Sequence, residues 1–168
     1  MKGDFKMNFE NSLNKLYQKV ADQIISMIPE EWEKFYFNSE VKNGEGGAFF
    51  FYETQYQKTP VYSHLIPSLF KIDKKNYNKN LHTLFNLSKE LQKVFIDYEQ
   101  EPWFSMTMIV TSKGNVNVTF DYIDWTETNF GPSNRIDFFM YKYFEMEPEN
   151  DQDKEVVKKM EIYEELNL

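Results

Sequence analysis

The chain has 168 residues, enough for one domain with a core of its own. It contains no cysteine, which excludes disulfides, thiolate metal sites and thiol catalysis. A net charge of −8, from 19 basic and 27 acidic side chains, disfavours direct contact with nucleic-acid phosphates and suits a basic protein partner. Residues 145–168 hold nine acids against three lysines, so −6 of the total sits in the last 24 residues. Aromatic side chains make up 18% of the sequence and point to an aromatic core. No run approaches the roughly 18 apolar residues of a membrane span. The first residues, "MKGDFKMNFENSL", lack the apolar centre of a signal peptide. The expected location is therefore the cytoplasm, without membrane insertion.

In chain order, "NFENSLNKLYQKVADQIISMIP" is the first helix. Leu13, Leu16, Tyr17, Val20, Ile24 and Ile28 recur at helical steps, Asn8 is a candidate N-cap and Pro29 ends the pattern. "WEKFYFNSEV" alternates as a strand, with Phe35, Phe37 and Val41 on one face and Trp32 and Tyr36 on the other. Lys42–Gly47, "KNGEGG", is a flexible turn, and Ala48–Thr54 returns as a second strand. A short extended piece around Val61–His64 precedes a loop. Asp73 is a cap for a second helix, with Tyr77, Leu81, Leu84, Phe85, Leu91, Val94, Phe95 and Tyr98 at helical spacing as far as Pro102. "WFSMTMIVT" and "NVNVTFDYIDW" are two strands joined by "SKGN". "RIDFFMYKYF" is a short aromatic helix. Asn150 or Asp151 caps a last, acidic helix at about 150–167, carrying Val156, Val157, Met160, Tyr163 and Leu166. The fold class is α+β: one domain over 1–168, an antiparallel sheet of hairpins with helices packed on one face, ordered α-β-β(-β)-α-β-β-α-α.

The chemistry-bearing residues are few. His64 and His82 are the only histidines, and no H-x-x-x-H, H-E-x-x-H or D-x-D-x-D-G spacing surrounds them. Both read as unligated surface or interface residues. There is no G-x-S-x-G elbow, and the glycines of "GEGG" lie between strands rather than before a helix. The sequence thus gives no catalytic set, no metal set and no cofactor site. Asp121 and Asp124 are three residues apart, which on a regular strand puts them on opposite faces. Val116, Val118, Phe120 and Tyr122 then form the inward face. Asp124 follows at the strand end, where it suits capping a turn or pairing with Arg135, the one arginine in the chain. Trp103 is expected in the core. Trp125 fits core and interface equally.

Four segments occur in one order: "PEEWEKFYF" after an amphipathic helix, "GEGGAFFFYE", "EPWFSMTMIVTSKGNVNVTFDYIDW" and "NFGPSNRIDFFMYKYFEMEPEN". Together they resemble the YezG/EsaG-like family of immunity proteins, found in Gram-positive bacteria beside toxins exported by the type VII secretion system. The resemblance covers roughly residues 9–150. It implies a cytoplasmic antitoxin, itself no enzyme, that binds the C-terminal nuclease domain of a partner toxin and blocks it until export. One departure stands out: after Y-K-Y the family usually has a glycine-containing stretch, where this chain has "FEMEPEN".

A basic cleft built for phosphates also attracts spaced carboxylates, with aromatic anchors to slow dissociation. On that logic Asp121, Asp124, Glu127, Glu145, Glu147 and Glu149, with Trp125 among them, are the expected partner contacts. The free protein is expected to be a monomer. Two other classes remain open on sequence: a non-inhibitory adaptor or chaperone for a secreted protein, and a small metal-dependent hydrolase using Asp121, Asp124 and His64.

Overall fold

The structure is a computed structural model that describes residues 2–168. Among the described residues it contains five α-helices and a five-stranded antiparallel sheet, the α+β class expected. The chain divides into two compact units, the first ending at Tyr122 and the second running over Ile123–Leu168.

The first unit begins with helix α1, Lys2–Met27, whose buried stripe is Leu13, Leu16, Val20, Ala21, Ile24 and Met27. The helix starts well before Asn8, so Asn8 lies inside it and is not the N-cap. The added turns carry Phe5 and Phe9, whose rings meet Tyr98 and Phe95 at 4.9 and 5.2 Å. Such aromatic pairs are worth about 0.5–1.5 kcal/mol each, enough to extend a helix that propensity alone would leave frayed.

Strands β1, Lys34–Lys42, and β2, Glu45–Glu53, pair in register from Lys34↔Glu53 to Lys42↔Glu45. The hairpin loop is only Asn43-Gly44, with φ of 51° and 76°. Positive φ at both central residues is what a two-residue type I′ turn demands. The longer flexible turn read over Lys42–Gly47 is thus corrected. Gly46 belongs to the ladder, and there a Cβ would collide with the Glu40 carbonyl. Its glycine serves close backbone approach, not mobility.

β3, Val61–Tyr62, pairs with Tyr52 and Phe51. The loop expected after it is instead a 3-10 turn, Ser63–Leu65, and a short helix α2, Ile66–Phe70. Pro67 sits in the first turn of α2, where a missing N–H costs nothing. Helix α3, Lys74–Asp97, starts at Asp73, whose side chain accepts from the Lys75 N–H. Strands β4, Ser105–Thr111, and β5, Val116–Asp121, complete the order β3-β2-β1-β4-β5.

Phe35, Phe37, Phe50, Tyr52, Met106 and Met108 face the α1–α3 layer and close the core with Leu84 and Leu91. Each such aromatic contributes about 1.5–3 kcal/mol by leaving water. Gln92 of α3 donates from Nε2 to two carbonyls, Val41 at 2.8 Å and Trp103 at 2.7 Å. It ties the helix both to the end of β1 and to the segment after Pro102. The opposite sheet face is not left to water: Tyr36 and Phe51 are 5% and 1% exposed. Trp103 is buried, as expected.

The second unit holds helix α4, Pro132–Phe144, and helix α5, Asp151–Asn167. Asn150 caps α5 by accepting from the Asp153 N–H at 2.7 Å. Val157 and Met160 are its buried positions, whereas Leu166 is exposed. Lys142 Nζ reaches Glu164 at 2.8 Å, and the Tyr141 hydroxyl donates to Glu161 at 3.3 Å, so polar pairs join the two helices.

Candidate partner-binding surface

The acids singled out in the sequence fall on different kinds of backbone. Asp121 is the last residue of β5, half-buried, and its carbonyl accepts from the Phe104 N–H at 2.9 Å. Pairing with β4 stops there, so the alternation no longer governs Tyr122, which is 48% exposed and not a core residue as its inward register implied. The strand expected to reach Trp125 ends four residues earlier.

In the second unit, Asp124 caps a 3-10 turn, Trp125–Glu127. Its Oδ1 accepts from the Thr126 N–H at 3.0 Å. A carboxylate at this position holds the turn by the same means as at a helix N-terminus. Trp125 is 5% exposed, with its ring 6.0, 5.9 and 5.4 Å from those of Phe130, Phe138 and Tyr163. Of the two roles open to it, burial is the one observed. The segment after it is pinned by hydrogen bonds. The Thr128 hydroxyl donates to the Trp125 carbonyl at 2.6 Å and accepts from the Phe130 N–H at 3.1 Å. The Gly131 N–H donates to Asn134 at 3.0 Å. Arg135 donates from Nη1 to the Phe130 carbonyl at 2.8 Å.

Glu127, Glu145, Glu147 and Glu149 are exposed. An open cleft of about 520 Å³ is lined by Glu127, Phe130, Val156, Lys159 and Tyr163 among others. Lys159 pairs with Glu155 at 3.1 Å, which tempers the one cation of that wall. Asp137 on α4 has its pKa raised, first by burial and then by the charge of Asp153. Counting Ile123–Leu168 gives 12 acids against five basic groups, −7 of the total −8, and the preceding residues carry −1. The sequence placed the acidity in the last 24 residues; the boundary of the second unit gathers it more completely.

The histidines are elsewhere. His64 stacks on Tyr62 with ring centroids 4.8 Å apart, and loss of water pushes its pKa down. His82 is exposed on α3. Among the described residues no group of three or more His, Cys, Asp or Glu side chains is placed to hold a metal ion. No helix among them is long and apolar enough to cross a membrane.

The profile of the family described as immunity protein YezG-like matches residues 13–158. This chain belongs to the YezG-like immunity protein family. It is 35% identical over 157 residues to the type VII secretion system protein EsaG of Staphylococcus aureus, covering 94% of this chain and 96% of that one. It is 27% identical to immunity protein YezG of Bacillus subtilis over 145 residues, 86% of this chain and 96% of the relative. Immunity protein YezG of Bacillus spizizenii is also 27% identical, over 136 residues, 81% of this chain and 84% of the relative.

The YezG-like match runs through both units and includes every acid discussed above except those beyond residue 158. The family description, immunity protein, implies binding to a secreted toxin partner. The segment "FEMEPEN" contains a backbone position of the kind that glycine usually fills. Glu145 caps α4 in the left-handed region, φ 54° and ψ 30°, where glycine is the residue without penalty. This chain places a carboxylate on that strained cap. The backbone conformation at Glu145 is what sequence reading missed; the departure from the family pattern was the signal that could have found it.

Proposed function

We propose that this protein is a cytoplasmic antitoxin that binds and neutralises the nuclease domain of a toxin exported by the type VII secretion system, without catalysis of its own. The observation that carries this reading is the concentration of −7 in Ile123–Leu168, on a family member for which immunity is the common role. The name of the Staphylococcus aureus relative supports the link to that secretion system. A nuclease must present cations to phosphates, and the same cations attract exposed carboxylates. Glu127, Glu145, Glu147 and Glu149 are the proposed contacts from the second unit, with Asp124 holding the turn beneath Glu127. Asp121 is the proposed contact from the first. Trp125 acts from inside, as the rigid support of that turn. Asp124 and Arg135 are proposed to form an ion pair that steadies the Trp125–Gly131 segment.

The test is plasmid cleavage by the toxin domain with increasing antitoxin. Wild type is expected to abolish cleavage near equimolar amounts, and to show no cleavage or DNA binding alone. An Asp121→Ala/Glu127→Ala double variant is expected to need a clear excess. Full inhibition by that folded variant would remove these acids from the contact. Binding by wild type without any loss of cleavage would favour an escorting role instead.

A further inference from the structure

The sheet has two edges, and they are built differently. β3 is two residues long, follows Pro60 and runs at once into a 3-10 turn, so it offers little backbone to pair with. β5 is six residues of unbroken strand, Val116–Asp121. It contains no proline and no lysine, and its ladder with β4 is regular from Val110↔Val116 to Ser105↔Asp121. Natural edges of this length are normally guarded by such residues or by bulges. Hydrogen bonds from antiparallel pairs alternate, and the Thr111 N–H to Asn115 carbonyl bond sets the phase. Asn117 and Thr119 therefore turn their backbone groups to β4, while Val116, Val118 and Phe120 turn theirs outward. No other strand among the described residues pairs with that side. Val116 is 55% exposed, an apolar side chain at the rim of the core face.

We propose that two copies of this chain pair through β5, antiparallel and centred on Val118, to give one continuous sheet across the dimer. The strand is self-complementary in that register. The outward backbone groups of Val116 meet those of Phe120, and Val118 meets its own counterpart. On the helix-facing side Val116 lies opposite Phe120 and Val118 opposite Val118. On the other side Asn117 lies opposite Thr119, and Asn115 opposite Asp121. Every apolar residue finds an apolar one and every polar residue a polar one. Asp121 is the one charge in the strand and does not meet itself. A shift by one residue would put the inward-turned groups of Asn117 and Thr119 at the seam, which cannot bond. The acidic excess lies in Ile123–Leu168, while the residues before it carry −1, and its repulsion is screened over about 8–10 Å at physiological salt. This departs from the monomer expected from the sequence and does not depend on the toxin reading.

The absence of cysteine makes the register testable. In sedimentation over roughly 1–300 μM, the range suited to a contact below standard interface size, wild type should move from the 20.3 kDa chain towards twice that mass. Val118→Pro removes an outward N–H that bonds nothing within one copy, so it should keep the fold and weaken association at least tenfold. Val116→Lys, which leaves the backbone intact, should do the same. Under mild oxidation Val118→Cys should form a disulfide-linked dimer, because bonded cross-strand Cα atoms lie about 5.5 Å apart. Val116→Cys should not, because Val116 faces Phe120. A single-chain mass across the whole range would overturn the proposal. So would a dimer indifferent to both edge variants, or equal cross-linking at positions 116 and 118.

Discussion

The two units differ in what their residues are used for. The unit ending at Tyr122 is nearly neutral and packs Phe35, Phe37, Phe50 and Phe51 fully out of water along two paired strands. The unit Ile123–Leu168 has few buried side chains, carries −7, and spends its polar groups on pinning one short segment and joining two helices. Burial and charge are segregated, because a dense carboxylate surface and a large apolar core cannot share the same few residues. The first unit holds the large apolar core. The second unit carries the acids that we propose meet the toxin, on a smaller set of buried side chains.

The sharpest challenge to this contrast is Gly46→Ala. The collision with the Glu40 carbonyl, together with φ of 148°, should cost the hairpin about 3–5 kcal/mol, at the top of the range for single substitutions. Gly47→Ala, where a Cβ has open space, should stay within about 0.5 kcal/mol. Chemical denaturation compares the two, and amide exchange in α4 and α5 shows whether the second unit unfolds with the first. If it does, the units are one cooperative body and the contrast is only of composition.

Arg135→Ala tests the pinned segment. It deletes the bond to the Phe130 carbonyl and the proposed partner of Asp124, and should cost about 1.5–3 kcal/mol, as for a hydrogen bond to a charged group. A change under a few tenths in the melting curve would show that the segment holds itself. Neutralising Glu145, Glu147, Glu149, Asp151 and Asp153 together should slow toxin association by about tenfold or more at low salt and flatten its salt dependence. The melting temperature should barely move; a large drop with an unchanged on-rate would reverse the roles assigned to the two units. Glu145→Gly should stabilise α4 by about 1 kcal/mol, by relieving the left-handed cap, while removing one carboxylate from the surface. Thermal melts and stopped-flow binding on that variant should therefore change in opposite directions.

The smallest effect concerns pH. The folded pKa of Asp137 is raised, so its contribution is fully present below the unfolded value of 3.8 and is lost as pH rises through the folded pKa. At neutral pH its ionised form weakens the second unit. Asp137→Asn should raise the melting temperature slightly at pH 7, and that advantage should vanish towards pH 4. An advantage that grows on acidification would mean that the carboxylate is stabilised in the fold.

Where the sequence was a good guide, one physical rule dominated. The stripe from Leu13 to Ile28, the Asp73 and Asn150 caps and the alternation of β1 and β4 each follow from local periodicity or a local hydrogen bond. It misled where a distant group decided. α1 begins early because Phe5 and Phe9 meet rings on another helix. Gly46 is a glycine because of Glu40 across the ladder. Tyr122 is exposed because its strand has lost its partner. At the candidate surface, the residue types and the acidity were legible. The capping role of Asp124 followed from its place after a strand. The burial of Trp125 did not, because the rings that enclose it come from positions 5, 13 and 38 residues away in the chain.

The double bond made by Gln92 has a mechanical meaning. One amide nitrogen holds the carbonyls of Val41 and Trp103, so α3 cannot translate along the sheet without releasing both. A slide of one helical turn, about 5.4 Å, would carry the amide out of reach of either. The helix layer is therefore keyed against shear. Within this unit, faster motion is left to side-chain rotation and to loops.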